Sequence, residues 1–284
     1  MNGVICVYKP KGISSHDCIY KVRRALGTKR VGHTGTLDPM AEGVLPICVG
    51  KATRASEMIM ASEKVYKAEI TFGAETTTAD SEGEITRKSD KIVTKEEFLS
   101  ILPRFIGEIE QIPPMYSAIH HQGKRLYQLA REGKEVERKP RKITIFNIEL
   151  LSFSGDKAEI RVTCSKGTYI RTLCEDLGRA AGGSAHMSAL IREQSGIFTI
   201  ENSVKPEDIT EDKLIPVDEM FKEYESIILN AENEGRVLNG APIKYRCREG
   251  EIYRLYGEGG NFLCLSKGIM EEGESLLKMV KSFY

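Results

Sequence analysis

Asp38 is the carboxylate whose surroundings invite a chemical reading. It lies in Val31-Gly-His-Thr-Gly-Thr-Leu-Asp-Pro-Met-Ala-Glu-Gly-Val-Leu-Pro-Ile-Cys-Val-Gly50, a stretch punctuated by Gly32, Gly35, Pro39 and Gly43. Glycine opens backbone conformations closed to other residues. Proline fixes its own φ and restrains the residue before it, which here is Asp38. The apolar run Val44–Val49 can anchor the loop in a core. Taken alone, the pattern also suits a tight turn with a surface aspartate. Other residues that could join it are His33, five positions earlier, Tyr66, and the Tyr169-x-Arg171 pair. A single aspartate can act as a nucleophile while it stays ionised, and an arginine beside it would lower its pKa and hold its oxygens. Two-carboxylate glycoside hydrolysis needs a second acid, and Asp80 is the one nearby candidate in sequence.

Other chemistries find less support. The five histidines show neither His-x-x-x-His nor His-Glu-x-x-His spacing, which argues against a metal site. Leu45–Ala52 lacks the first glycine of a phosphate-binding loop and the Ser/Thr after its lysine. Seven cysteines form no Cys-x-x-Cys pair and several sit in apolar runs, so reduced thiols in the cytoplasm are expected. No apolar run approaches the ~20 residues of a membrane span, and the N-terminus lacks a signal-peptide layout. Net charge is zero, but the charges are segregated. Lys9–Arg30 holds seven Lys/Arg against one Asp, His120–Lys142 eight against three Glu, and Pro206–Gly240 ten acids against three bases. Segregation of this kind can hide an electrostatic footprint within a neutral total.

The elements that must position Asp38 follow from periodicity. Val4–Tyr8 reads as a buried strand. Ser14 or Ser15 caps a helix with Cys18, Ile19, Val22, Ala25 and Leu26 on one face and Lys21, Arg23 and Arg24 on its polar face. A helix is expected from Ala52 to about Ser62, and Val65–Phe72 alternates as a half-buried strand. Thr76–Gly83 is a polar loop containing Asp80, and the Thr94–Glu97 capping box opens another helix. A short helix is expected over Arg125–Glu132, paired strands over Ile143–Phe153 and Lys157–Cys164, and a helix after Lys166-Gly-Thr168. The spacing then predicts a further helix over about Ala185–Gln194. Helical pieces in Pro206–Glu225 lead to a boundary near Tyr224 and a small β-rich unit. The whole reads as α+β, a mixed, largely antiparallel sheet flanked by helices, with domains 1–223 and 224–284.

Over residues 2–220 the sequence resembles the TruB-type tRNA pseudouridine-55 synthases, in their stand-alone bacterial form. The matching words include Lys9-Pro-Lys-Gly-Ile-Ser14, Gly32-His-Thr-Gly-Thr-Leu-Asp-Pro-Met-Ala-Glu-Gly-Val-Leu-Pro46, Lys64-Val-Tyr66 and Thr77-Thr-Ala-Asp80. They continue through Gln111-Ile-Pro-Pro-Met-Tyr-Ser-Ala118, Gly123-Lys-Arg-Leu-Tyr127, Cys164-Ser-Lys-Gly-Thr-Tyr-Ile-Arg171, and Gly183-Ser-Ala-His186 with Leu190. The resemblance implies the pseudouridine synthase fold and isomerisation of a T-loop uridine in tRNA, with no metal or organic cofactor. It makes Asp38 the catalytic aspartate. Tyr66 would stack on the flipped base and help remove its C5 proton, Arg171 would pair with Asp38, and His33 would fill or stabilise the site the base vacates. Tyr169 and Leu190 would complete the pocket wall, Lys9 would support the site, and Asp80 would orient Tyr66. The two basic segments become candidate phosphate contacts for the T stem-loop. No obligate protein partner is expected, and the protein should be monomeric.

Two departures stand out. The family usually carries lysine where this chain has His120. The last sixty residues match poorly, so a PUA-like RNA-binding module is expected there on the family's pattern alone. A competing reading makes the chain a tRNA-binding or folding factor whose catalysis is incidental. Then Asp38→Asn would keep the phenotype, and charge reversals at Arg23, Arg24, Arg138 and Arg141 would lose it.

Overall fold

Strand patterning explains the layering of the molecule. In the computed structural model, which describes residues 1–117 and 119–284, seven strands form the body of a large sheet. Their spatial order is Gly3–Lys9, Glu42–Val49, Ala185–Ser195, Lys64–Phe72, Lys157–Cys164, Arg141–Phe153 and Gly107–Gln111. Neighbours are antiparallel except Glu42–Val49 and Ala185–Ser195, which meet in parallel at Glu42↔Ile191 and Gly43↔Arg192. The sheet is therefore mixed and largely antiparallel, as expected.

The first two strands read as unbroken apolar runs because both their faces are covered. Ile5, Val7, Leu45, Ile47 and Val49 point into the main core, while Val4, Cys6, Val44 and Cys48 point into a second cluster. That second cluster also takes in Leu265 of the C-terminal sheet and Phe283, just past its last strand. The strands Lys64–Phe72 and Lys157–Cys164 instead alternate, because only one of their faces is covered. Ala68, Ile70 and Phe72 face the core. Outward-facing residues form cross-strand ion pairs such as Lys67–Glu159 at 2.9 Å and Lys157–Glu69 at 2.8 Å.

One face of the sheet is packed by three helices. Ser15–Ala25 contributes Cys18, Ile19 and Val22, Lys95–Ile101 contributes Phe98, and Ile170–Ala180 contributes Leu173, Cys174 and Leu177. Ser14, not Ser15, caps the first helix, sharing a capping box with Asp17. Thr94 and Glu97 cap the second in the same way.

One expected element is wrong. Ala185–Ser195 is a central strand, not a helix. Its Ala, Met, Leu, Glu and Gln content favours helix, but the open edges on both sides of it reward an extended chain more. Irregularities between Met187 and Ala189 and between Arg192 and Gln194 break the period of two, so the alternation is hidden in the sequence. The C-terminal residues form a separate five-stranded sheet, ordered Glu225–Ile228, Ile252–Tyr256, Phe262–Glu271, Glu274–Ser282 and Ile243–Lys244. No helix among the described residues is long and apolar enough to cross a membrane.

Candidate active site

The Asp38 loop joins the short strand Val31–His33 to the strand Glu42–Val49 and is fastened at every turn. Thr34 donates its N–H to the Pro46 carbonyl at 3.0 Å. The Ser15 hydroxyl accepts from the Leu37 N–H and donates to the Leu37 carbonyl, both at 2.8 Å. Gly12 N–H donates to Pro39 O at 2.8 Å. Two buried cations grip the loop from beneath. The Lys9 ammonium donates to the carbonyls of Pro10 (2.9 Å), Pro39 (3.3 Å) and Ala41 (2.6 Å). Arg192 donates from Nε to Val44 O at 2.6 Å and from Nη2 to Gly35 O at 3.3 Å, so it holds both flanks of Asp38. Neither cation has a carboxylate within ion-pair distance among the described residues, and carbonyl dipoles solvate both.

The parallel contact behind this loop leaves no room for a side chain at Gly43. Its φ is +109°, and an added Cβ would lie 2.3 Å from the Arg192 carbonyl oxygen. At Gly12, φ is +91° with nothing within 4 Å. Gly43→Ala should therefore combine backbone strain with a clash and cost about 3 kcal/mol, whereas Gly12→Ala should cost the strain alone, about 1 kcal/mol. Urea unfolding of both variants separates the terms. Equal losses would show that the close approach at Gly43 is not tight.

Arg171, at the start of the helix Ile170–Ala180, reaches Asp38 from the other side. Its Nε lies 3.1 Å from Asp38 Oδ2, its Nη1 contacts Thr78 O (3.3 Å) and Asp80 Oδ2 (3.4 Å), and its Nη2 donates to Tyr116 O at 2.8 Å. The Arg171 side chain is 7 % exposed, Asp80 4 % and Asp38 35 %, so Asp38 alone of the three presents itself to solvent. The helix start is fixed by Gln111, whose side chain accepts from Tyr169 N–H at 3.0 Å and donates to Tyr169 O at 3.3 Å.

Asp80 is brought to Arg171, not to Tyr66. Its carboxylate accepts from Thr78 Oγ1 at 2.5 Å, Glu82 N–H at 3.0 Å and Arg171. The expectation that Asp80 orients Tyr66 gives way to this arrangement. The loop carrying it is stitched to the strand Ala185–Ser195 through Ala79, Ser81 and Met187, which points the carboxylate inward. Asp80 also sits too deep to act as a second acid on a substrate, which removes the glycoside hydrolase reading.

Tyr66 and Arg192 are direct cross-strand partners, as are Ala68 and Leu190, so Tyr66 shares its face of the sheet with both Arg192 and Leu190. Burial pushes the Tyr66 phenol up, with Arg192 pulling in the opposite direction. Burial also raises the Tyr169 phenol. Burial pulls the His33 imidazole down, and the charges of Arg192 and His16 act in the same sense, so His33 is a neutral ring near pH 7. Asp38 departs from expectation. Arg171 does pull its carboxyl down, but burial outweighs it and Asp80 adds like-charge repulsion, so the net shift is upward.

The arrangement is a partly exposed carboxylate on a rigid loop, held by one arginine, with its charge felt at the Tyr66 and Tyr169 phenols. Among the described residues, no three His, Cys, Asp or Glu side chains converge as metal ligands would. Arg192 and Gln111 are the site-supporting residues that sequence reasoning missed. A lone arginine directly after the apolar Ala189-Leu190-Ile191 was the available signal for the first. The second lay in a Pro-rich word whose last residue, Ala118, is outside the described residues. His120, the first of the expected departures, is exposed in the two-residue strand His120–His121.

Residues 23–170 match the TruB family pseudouridylate synthase N-terminal domain, and residues 171–233 match the tRNA pseudouridylate synthase B C-terminal domain. The chain is 44 % identical over 293 residues to the tRNA pseudouridine synthase B of Clostridium perfringens strain 13, covering 99 % of each protein. It is 46 % identical over 260 residues to that of Geobacillus kaustophilus, covering 86 % of this chain and 91 % of the relative. Among solved structures it resembles a chain of a Cbf5-Nop10-Gar1 complex, with a TM-score of 0.75 and 25 % identity, covering 99 % of this chain and 85 % of that one.

Proposed function

The chain belongs to the TruB family of pseudouridylate synthases, which isomerise uridine in tRNA, and from that membership we propose that its target is uridine 55 of the T loop and that Asp38 is its nucleophile. The observation that carries the reading is the Asp38–Arg171 pair at 3.1 Å, a partly exposed carboxylate held by a buried guanidinium. The target base is stacked inside a folded loop, so it must leave the stack before its sugar junction can be reached. Asp38 then opens the C1′–N1 bond, the uracil turns, and C5 bonds to C1′. The C5 proton leaves, N1 takes up a proton, and the carboxylate is regenerated. The atoms balance without a redox change or an added group, in keeping with a cofactor-free isomerase.

The surrounding residues divide the work. Arg171 fixes the carboxylate oxygens and favours the ionised form against burial. Tyr66 stacks on the turned base and assists removal of its C5 proton. Tyr169 and Leu190 close the pocket, and neutral His33 occupies the space left in the loop. Lys9 and Asp80 act from behind, one on the Asp38 loop and the other on Arg171. The 224–284 unit serves as an accessory RNA-binding module, and the enzyme works as a monomer. A cytoplasmic location suits the seven unpaired cysteines.

The test is release of tritium from C5-labelled uridine in a T-arm stem-loop by the purified protein. Turnover is expected with the T-arm RNA and with intact tRNA. No release from either would sink the proposal.

A further inference from the structure

We propose that the outer face of the helix Ser15–Ala25 docks the RNA strand flanking the target uridine, with Tyr20 stacking a neighbouring base and Lys21 and Arg24 meeting its phosphates. The inference rests on the tRNA-isomerase reading and names a surface for it.

The helix is one body with the catalytic loop. Ser15 is bonded on both sides of its hydroxyl to Leu37, the residue before Asp38. At the other end Arg23 Nη2 lies 3.5 Å from the carbonyl of Val31, which opens the strand carrying His33. Tyr20 stands five residues beyond Ser15, about 7.5 Å along the helix axis. That is roughly two base-stacking steps of ~3.4 Å.

Tyr20 is also held ready. It is 57 % exposed, yet its ring is flanked by the His16 ring edge-on at 4.8 Å and 89°, and by the Arg23 guanidinium 5.8 Å from its centroid. A large aromatic fixed before binding loses little entropy when a base stacks on it. His16, Tyr20 and Arg24 follow each other at intervals of four, so they share one ridge of the helix.

The cations here meet no carboxylate. Among the described residues, none of Lys11, Lys21, Arg23 and Arg24 forms an ion pair. The one acid of the helix, Asp17, is occupied by the Ser14 N–H at 2.8 Å and hydroxyl at 2.6 Å. The second basic stretch differs. There Lys124 and Lys134 pair with Glu132, Arg138 with Glu135 and Lys142 with Glu108. Half its cations already sit in ion pairs, so the first helix offers the freer phosphate contacts. Unpaired cations interleaved with a rigid aromatic fit a nucleic-acid strand better than an acidic peptide, which has no base to stack.

The test uses full-length protein and a T-arm RNA, with Tyr20→Ala, Tyr20→Phe and Arg24→Glu compared with wild type. All three changes lie on an exposed face, so the fold should hold. Tyr20→Ala should raise KM for the RNA by roughly 5- to 100-fold, with the loss falling on KM rather than kcat. Tyr20→Phe keeps the stacking face and should recover most of the affinity. Arg24→Glu should raise KM and flatten the dependence of log Kd on log salt by about one unit or more. An RNA with 2-aminopurine beside the target should be quenched by wild type and Tyr20→Phe, and not by Tyr20→Ala. A KM for Tyr20→Ala within twofold of wild type, or equal loss in Tyr20→Phe, would overturn the docking surface. Failure of wild type itself to release tritium would count against the isomerase reading instead.

Discussion

Asp38→Asn should lower tritium release from C5-labelled tRNA by about 10⁴-fold or more, while leaving the protein folded and able to bind RNA. The amide fills the same space and keeps a hydrogen-bond acceptor for Arg171, but it cannot attack a ring or sugar carbon. The stability change runs in the opposite direction. Burial raises the Asp38 pKa above its ordinary value, so the folded state binds this proton more tightly than the unfolded chain does. Ionisation of Asp38 at neutral pH therefore opposes folding, and its contribution is most favourable below the ordinary carboxylate pKa and is lost as pH rises through the raised one. Asp38→Asn removes that opposition, so its melting temperature at pH 7 should equal or exceed that of wild type. A clear drop would mean that the Arg171 pair outweighs the cost of burying the charge. The same shift sets the acid limb of the wild-type rate, which should lie above the ordinary aspartate value.

Arg171 carries the second large effect. Arg171→Met leaves Asp80 buried and unpaired and Asp38 without its cation. Loss of one partner from a buried pair costs about 3–5 kcal/mol, most of it here from Asp80 at 4 % exposure. Asp38, at 35 %, is partly solvated and contributes less. Activity should fall by about 10³-fold, because the carboxylate is then neither aimed nor kept ionised. Arg171→Lys tests geometry against charge. A lysine cannot reach Asp38, Asp80, Thr78 O and Tyr116 O from one planar fork, so it should restore stability better than rate. Its acid limb should sit above that of wild type, since a less well-placed cation opposes burial less. Urea unfolding and the pH–rate profile measure the two parts. Wild-type kcat in Arg171→Lys would contradict the assigned role.

These effects were unequally legible in the sequence. The Asp38 loop announced itself through Gly35, Pro39 and Gly43, because backbone conformation is written locally. The hairpin of Ile143–Phe153 with Lys157–Cys164, the Thr94 cap and, to within one residue, the cap of the first helix were readable for the same reason. The strand Ala185–Ser195 was not, since its conformation depends on two partners more than a hundred residues away and its irregular register hides the alternation. That misreading also concealed Arg192, which supports the loop only because the strand runs beside Gly43. Asp80 was recognisable as a candidate, but its attachment to Arg171 spans 91 residues and emerged only from the fold. The upward shift of Asp38 was likewise out of reach, because charge pairing shows in composition and burial does not.

Mapping pseudouridine in an unmodified tRNA transcript after incubation with the protein tests the central claim most directly. Carbodiimide treatment and reverse transcription should give a single new stop with wild type, one nucleotide 3′ of position 55, and none with Asp38→Asn. A stop elsewhere, no stop at all, or an unchanged stop with Asp38→Asn would contradict the account.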